Sequence, residues 1–241
     1  MTTQEKRWEP TCDRFVAFLD ILGFKDRIFR DTHENILNDF RLFINTVEHI
    51  EEHSPILLTN WKDSPYYNHA KIKPVTFSDS ILLVTGDDSA ISLIRLAIRT
   101  QQIVEKAISM RIPIKGAISF GNQTADVTNS LYFGKPLIYA YEIQDEILLY
   151  SVVLHHTTEQ RIKQLSEYPI NGLNELSLNS YFIKYKTPLK YGIVNHYLLK
   201  PSNPEDLVQQ IKAFYSIVSG SKRCYVDNTL SFLDFINIST K

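Results

Sequence analysis

Residues 18 to 24 read Phe-Leu-Asp-Ile-Leu-Gly-Phe, and no other stretch says as much about the fold. The aromatic and apolar run Arg14 to Leu19 predicts a buried β-strand that ends at Asp20. Gly23 permits a tight turn, and apolar residues at three- and four-residue steps predict a helix over about Phe24 to His53. A carboxylate between a strand and a helix N-terminus is able to bind a hard cation beside a phosphate, although an aspartate there more often caps the helix.

A second acidic corner strengthens the case for a cation site. The segment Phe77-Ser78-Asp79-Ser80-Ile81 lies between two apolar runs, which predicts a β-hairpin with Ser78 to Ser80 at its tip. If the two strand ends are adjacent, ionisation of both Asp20 and Asp79 costs free energy unless a cation lies between them. Two divalent ions about 3.5–4 Å apart would then activate a hydroxyl nucleophile and hold a triphosphate.

The remaining pattern predicts one α+β domain with no internal repeat and no clear linker. We divide the chain into a polar arm, residues 1–13, and a single domain over residues 14–241, with a core to about residue 154 and a C-terminal extension from about 155. Further predicted strands are Lys71 to Phe77, Ile81 to Thr85, Ile112 to Phe120, Ser151 to Leu154, Tyr181 to Tyr185 and Tyr191 to Leu199. Further predicted helices are a Ser89-capped helix to about Met110, Pro136 to Leu148, Thr157 to Ser166, Pro204 to Ser219 and Leu230 to Ile236.

The composition limits the classes of partner. Twenty-six basic and 27 acidic side chains leave a net charge of −1, so no overall field attracts nucleic acid or an anionic membrane. The two cysteines are far apart in sequence, which favours free thiols in a reducing compartment over a zinc site. The sequence shows neither a signal-peptide pattern nor an apolar run of about 20 residues, and we therefore expect a cytoplasmic protein without membrane insertion.

Four segments resemble the class III adenylyl and guanylyl cyclases, in the order in which that family has them. Phe18 to Phe24 resembles the first metal-binding motif, and Phe77 to Val84 resembles the second, at the hairpin of strands two and three. Ile114 to Gly121 is similar to the fourth strand, and Phe133 to Ile143 is similar to the start of the next helix. The resemblance implies a ferredoxin-like βαββαβ core, an antiparallel sheet with helices on one face, a C-terminal α/β extension, and a homodimer with sites at its interface.

Within that superfamily the chain is most similar to the pyrimidine nucleotide cyclases of bacterial Pycsar antiphage systems. The motifs that carry this similarity are Phe-Leu-Asp-Ile-Leu-Gly-Phe, Phe-Ser-Asp-Ser and Lys-Gly-Ala-Ile-Ser-Phe-Gly. The resemblance implies conversion of UTP or CTP to 3′,5′-cyclic UMP or CMP with release of pyrophosphate. It also implies that a separate cyclic-nucleotide receptor effector reads the product.

The resemblance assigns roles to individual residues. Asp20 and Asp79 would hold two Mg²⁺ or Mn²⁺ ions, with the carbonyl of Ile21 as a further ligand. The N–H groups of the next three residues would cradle phosphates, and Lys115 would occupy the position of a phosphate-contacting arginine. The residues implied to contact the substrate are Ile21, Leu22, Gly23, Phe24, Ser78 and Lys115.

The sequence departs from the family pattern mainly in its basic residues. Val75 occupies the position of the lysine with which purine cyclases read the base, which argues against ATP. Lys115 and Val152 stand where the pyrimidine group has arginines, and lysine lacks the bidentate fork of arginine. Adenylyl cyclases have a ribose-binding asparagine and a transition-state arginine at positions that here hold Ile138 and Glu142. The candidates to supply a missing cation, from the same chain or from a partner subunit, are Arg111, Lys135, Lys222 and Arg223.

Two further features have ordinary interpretations. His155 and His156 are predicted at a strand end with side chains on opposite faces, which does not favour joint metal coordination. Lys222 and Arg223, with Tyr225 close by, predict a solvated turn more strongly than an anion contact.

Two functions from different classes remain open. The two retained aspartates favour an active cyclase, whereas the missing arginines favour a protein of cyclase fold that has lost catalysis. Such a protein would act as a nucleotide-binding or partner-binding sensor.

Overall fold

The computed structural model describes residues 8–49, 71–167 and 181–239, so the loop predicted over residues 54 to 70 lies outside the described part. The strands are β1 (Thr11–Ile21), β2 (Ile72–Phe77), β3 (Ser80–Thr85), β4 (Ile114–Asp126), β5 (Leu131–Gly134), β6 (Val152–Leu154), β7 (Phe182–Leu189) and β8 (Gly192–Leu199). The helices are α1 (Phe24–Arg30), α2 (His33–His49), α3 (Ala90–Ser109), α4 (Lys135–Glu146), α5 (His156–Glu167), α6 (Pro204–Lys212) and α7 (Arg223–Ser239).

These strands form one sheet in the order β2-β3-β1-β4-β6-β8-β7, with β5 paired to β4. The predicted α+β class and the βαββαβ order of the core are confirmed. The sheet is mixed, however, because β4 and β6 run parallel while the other pairs are antiparallel. Within the described ranges, no helix combines the length and the apolarity needed to cross a membrane.

The two faces of the sheet carry different helices. Phe15, Ala17 and Leu19 of β1 lie in the main core together with the buried side of α3. Phe18 points to the second face, where its ring meets Tyr141 of α4 edge-on with centroids 5.6 Å apart. The helices of the βαββαβ core lie on one face, as predicted, and α4, which follows that core in the crossover between the parallel strands β4 and β6, covers the second face.

The long helix predicted after the first strand is two helices. Asp31 is extended, with φ −97° and ψ 160°, and its carboxylate accepts hydrogen bonds from the side chains of Arg27 and Arg30. The hydroxyl of Thr32 then accepts the N–H of Asn35 at 3.3 Å and begins α2. The apolar spacing continues through this break, and only the local bonds of Asp31 and Thr32, which compete with helix formation, reveal it.

Ser89 caps α3, as the sequence predicted. Its hydroxyl oxygen accepts the N–H of Ser92 at 3.2 Å. We expect Ser89→Ala to lower the free energy of unfolding by about 1 kcal/mol, because that N–H loses its partner. Urea unfolding beside Ser109→Ala, at the exposed end of the same helix, measures the effect. Equal losses in the two variants would contradict a capping role.

The C-terminal extension differs most from its prediction. The helix α6 stops at Lys212, and two 3₁₀ turns, Ala213–Ser216 and Gly220–Lys222, lead into α7. Since α7 begins at Arg223, the helix predicted from Leu230 starts too late. Lys222 and Arg223 are exposed, as predicted for a solvated turn, whereas Tyr225 is only 6% exposed and belongs to the main core.

Candidate active site

Asp20 lies within β1, directly opposite Ser80 of β3 and Lys115 of β4. Opposite residues on antiparallel strands point to the same face, so these three residues form a row across the sheet. The row shares its face with Phe18, since side chains two residues apart in a strand point the same way. The sequence placed Asp20 just beyond the strand, but pairing with β4 continues to Ile21 and keeps Asp20 inside it.

Asp79 lies at the two-residue corner between β2 and β3, beside Ser78. Ser78 has φ 55°, in the left-handed region that a serine seldom adopts. The carbonyl oxygen of Asp79 accepts the N–H of Ile21 at 2.8 Å, which ties the hairpin tip to the end of β1. Burial, and next the charge of Asp79, raise the pKa of Asp20. The structure therefore brings together the two acids that the sequence singled out.

Lys115 is committed to contacts inside the protein. It is 2% exposed, and its Nζ donates to the carbonyl oxygens of Asp145 at 3.1 Å and Ile147 at 3.2 Å. Burial lowers the pKa of Lys115 to about 8, while the charges of Asp145 and Asp20 act in the raising direction. The Nζ lies 5.6 Å from the ring centroid of Tyr225. The lysine thus holds the end of α4 and the start of α7 beside Asp20.

The loop after Asp20 offers fewer free N–H groups than the sequence predicted. The N–H of Leu22 donates to the carbonyl oxygen of Pro113 at 2.8 Å and is not available to a phosphate. Gly23 has φ 74° and precedes α1, with its carbonyl accepting the N–H of Arg27. The helix α1 has only seven residues, so its dipole alone does not make an anion site. Positive charge at this loop must come from side chains.

Two positions that depart from the family pattern, Val75 and Val152, are packed among apolar residues. Val75 is half-buried on β2 and packs with Val16 and Leu82 on the face that carries Asp20. Val152 is 1% exposed and lies in the main core, where an arginine would be buried without a partner. A cation in place of that arginine would have to come from another residue, of this chain or of a partner subunit.

The two aspartates fit a divalent cation of the magnesium type. Among the described residues, no group of three or more His, Cys, Asp or Glu side chains is arranged to hold a metal. Mg²⁺ is nevertheless commonly bound by one or two carboxylates that act together with substrate phosphates and water. A cation would also relieve the unfavourable burial and repulsion that raise the pKa of Asp20. Asp20 and Asp79 are the residues that would hold it.

His155 and His156 are closer together than the sequence predicted. His155 follows β6 and His156 begins α5, and their ring centroids lie 4.1 Å apart, so the prediction of opposite faces is wrong. His155 also stacks on Tyr139 with centroids 4.7 Å apart. These rings and His196 line a cavity of about 440 Å³. Burial first, and then the neighbouring histidines, lower the pKa of His155 to about 4.

This histidine predicts a pH dependence of stability. The folded pKa of about 4 is below the ordinary value of 6.5, so the unfolded chain takes up the proton first as the pH falls. The stabilisation is present above pH 6.5 and is lost as the pH falls toward 4. His155→Phe keeps a ring against Tyr139, and its melting temperature should fall less over this range than that of the wild type. His33→Phe, at an exposed site in α2, is the control. An unchanged slope in His155→Phe would contradict the assignment.

Two residues near Asp20, Tyr225 and Asp145, were not predicted to lie beside the site. A signal for Tyr225 was present, because the buried residues of α7 recur at three- and four-residue steps that begin at this tyrosine. Asp145 gave no such signal, since its contact with Lys115 joins two elements that are distant in sequence. The carboxylate of Asp145 also pairs with Lys190 at 2.6 Å.

Comparison with solved structures identifies the fold. The catalytic core of a rhodopsin-guanylyl cyclase with converted specificity, in complex with ATPαS, aligns with a TM-score of 0.54 and 16% identity over 79% of this chain and 98% of that chain. A dimeric guanylyl cyclase domain of the RhoGC fusion protein from the aquatic fungus Blastocladiella emersonii gives 0.54 and 16%, over 80% and 99%. The monomeric domain of that protein gives 0.50 and 16%, over 78% and 95%. No family model and no curated protein matches the sequence.

The chain therefore has the class III nucleotidyl cyclase fold, as the motifs predicted. Each of these structures is a guanylyl cyclase domain and is almost fully covered by the alignment. At this identity the likeness establishes the fold alone. The choice of substrate has to be argued from the residues of the site.

Proposed function

We propose that this protein is a metal-dependent nucleotide cyclase that converts UTP or CTP to 3′,5′-cyclic UMP or CMP and pyrophosphate. The observation that carries the proposal is the junction of Asp20 and Asp79 on a cyclase fold. The hydrogen bond from Ile21 to the carbonyl of Asp79 fixes that junction. The raised pKa of Asp20 marks it as a place where negative charge lacks compensation.

In the proposed reaction the ribose 3′ oxygen attacks the α-phosphorus and forms the cyclic phosphodiester. The bond from that phosphorus to the bridging oxygen breaks, pyrophosphate leaves, and the hydroxyl proton passes to water. Asp20 and Asp79, with the carbonyl of Ile21, would hold Mg²⁺ or Mn²⁺. Such ions, when bound, lower the pKa of the attacking hydroxyl and offset phosphate charge. Gly23 lets the backbone approach the phosphates, and Ser78 lies at the corner beside them.

Lys115 has a different role in this proposal from the one its position in the sequence suggested. Its Nζ holds the carbonyls that end α4 and lies near Asp20, so we assign it the positioning of α4 and partial balance of the Asp20 charge. A lysine in this arrangement presents no fork of donors to a phosphate. Another positively charged side chain must bind the triphosphate.

The choice of a pyrimidine substrate is supported by the apolar character of one position. Val75 stands where purine cyclases have a base-reading lysine, and it packs against Val16 and Leu82 on the Asp20 face. A role in antiphage defence, with the product read by a separate receptor, rests on the resemblance of the motifs.

A second copy of the chain is part of the proposal. Apolar side chains on and near the second face are strongly exposed: Phe77 is 81%, Phe133 is 61% and Tyr141 is 56% exposed. Exposed apolar surface of this kind marks an interaction site. A homodimer would cover it and would place residues of the partner subunit beside the aspartates.

A second function, a catalytically inactive nucleotide sensor, is favoured by one observation. Lys115 and Val152, at the positions of the family's arginines, carry no guanidinium, and both are buried, so neither presents a positive charge to a substrate. A sensor would bind a nucleoside triphosphate without converting it.

Incubation of the purified protein with each of the four nucleoside triphosphates and Mn²⁺, followed by chromatography, tests both functions. We expect one cyclic pyrimidine nucleotide and pyrophosphate. A cyclic purine product would refute the substrate assignment. Absence of a cyclic product with all four triphosphates would refute the enzyme, and nucleotide binding in that case would support the sensor.

A further inference from the structure

A cavity of about 400 Å³ opens at the end of β1, and neither Asp20 nor Asp79 is among its lining residues. One wall is the loop Ile21 to Gly23, which directly follows Asp20. The opposite wall is the C-terminal extension, where Ser219, Lys222 and Tyr225 line the space. The extension therefore faces the loop that follows Asp20, and it belongs to the same chain as both aspartates.

Two cations at this cavity lack a carboxylate partner within the described residues. Arg27 and Arg30, which also line it, are paired with Asp31, and Arg27 is paired with Asp39 as well. Arg111 and Lys222 are exposed on the walls and form no ion pair with any described residue. Their charges are available to an anion in the cavity.

The backbone of Arg111 supports a role for its side chain. The helix α3 ends with Met110 as its C-cap, and Arg111 follows with φ 57°. Glycine is the usual residue at this position because a Cβ is unfavourable in the left-handed region. A residue in this unfavourable conformation at a cavity is a candidate for a functional role.

Aromatic packing places Lys222 beside Tyr225 at the cavity wall. Tyr225 stacks on Tyr150 with centroids 5.6 Å apart, and the Nζ of Lys222 lies 6.0 Å from the Tyr225 centroid. Lys115 contacts the same Tyr225 ring and lies opposite Asp20 in the sheet. The hydroxyl of Thr229 accepts the N–H of Tyr150 at 2.8 Å and anchors α7 to the core. Lys222 is thus held at the cavity wall by a rigid support.

We propose that Lys222 and Arg111 bind the terminal phosphates of the substrate and the pyrophosphate that it releases. They would supply, from the same protomer, the cations that the chain lacks at Lys115 and Val152. The identity of the bound nucleotide rests on the proposed function, whereas binding of the polyphosphate itself can be measured without it. Lysine and arginine donate charge-assisted hydrogen bonds to phosphate oxygens.

Isothermal titration of the full chain with inorganic pyrophosphate, with and without Mn²⁺, tests this site. We expect Lys222→Gln and Arg111→Gly each to weaken binding about tenfold, the effect of losing one charged hydrogen bond. Glycine at position 111 removes the side chain without requiring the backbone to change, so the fold should persist. Lys212→Gln, at an exposed lysine of α6, is the control and should bind as the wild type does.

The outcomes separate this site from the proposed function. If no triphosphate is cyclised but both variants lose pyrophosphate affinity, the proposed function fails and the polyphosphate site stands. If a cyclic product forms while both variants keep the wild-type pyrophosphate affinity and KM, the site is refuted and the function stands. Absence of pyrophosphate binding in the wild type, or equal weakening by Lys212→Gln, would also overturn the site.

Discussion

Replacement of Asp20 or Asp79 by asparagine is expected to lower the rate of cyclic nucleotide formation at least about 100-fold. Even groups that only support metal ligands typically cost 10–100-fold when they are changed, and these two carboxylates would be the ligands themselves. The substitution keeps the shape of each side chain and removes its charge. Chromatography of the products with saturating Mn²⁺ measures the loss. A variant that retained wild-type activity would contradict the metal assignment.

Asp20→Asn should also stabilise the folded protein when no metal is present. Burial and Asp79 raise the pKa of Asp20, so the charged form is unfavourable in the folded state at neutral pH. Asp20→Asn should therefore raise the melting temperature in EDTA while it abolishes activity. Asp13→Asn, at an exposed position of the same strand, is the matched control and should change neither quantity. A lower melting temperature in Asp20→Asn would indicate a structural role for the carboxylate.

Gly116→Ala is expected to cause the second large effect. A Cβ at this position would lie 2.5 Å from the carbonyl oxygen of Phe18 and 3.2 Å from the Cα of Leu19. The overlap is with the backbone of β1, so a side-chain rotation cannot relieve it. We expect the free energy of unfolding to fall by about 1–3 kcal/mol. Activity should fall as well, because the displaced strand carries Asp20.

Urea unfolding and the cyclase assay measure the two consequences. Asn122→Ala introduces the same residue at an exposed position of β4 and should leave both unchanged. If Gly116→Ala were as stable and active as the wild type, the close approach of β4 to β1 at this point would be contradicted.

Local signals explain which parts of the fold could be predicted from the sequence. The apolar run before Asp20, the polar corner at Asp79 and the serine that caps α3 each specify structure within a few residues. The break at Asp31 depends on side-chain bonds that leave the apolar spacing intact. The position of α4 on the second face depends on β6 pairing parallel to β4, which no local pattern encodes.

The candidate site shows the same limit. Its acids could be predicted because each belongs to a short motif, and the hydrogen bond between their segments brings them together. The orientation of Lys115 could not be predicted, since its Nζ contacts carbonyls contributed by a distant helix. The sequence named Lys222 as a candidate cation, but its position at the cavity depends on Tyr225 packing against Tyr150, a contact between two parts of the chain that are far apart in sequence.

The most direct test of nucleotide cyclisation at Asp20 and Asp79 is ³¹P NMR of the protein with UTP or CTP and Mg²⁺. Cyclisation predicts that pyrophosphate and one cyclic phosphodiester appear in equal amounts with the wild type and that neither appears with Asp79→Asn. Formation of nucleoside diphosphate and orthophosphate by the wild type would contradict cyclisation at this site. So would a wild-type spectrum that stays unchanged with both UTP and CTP.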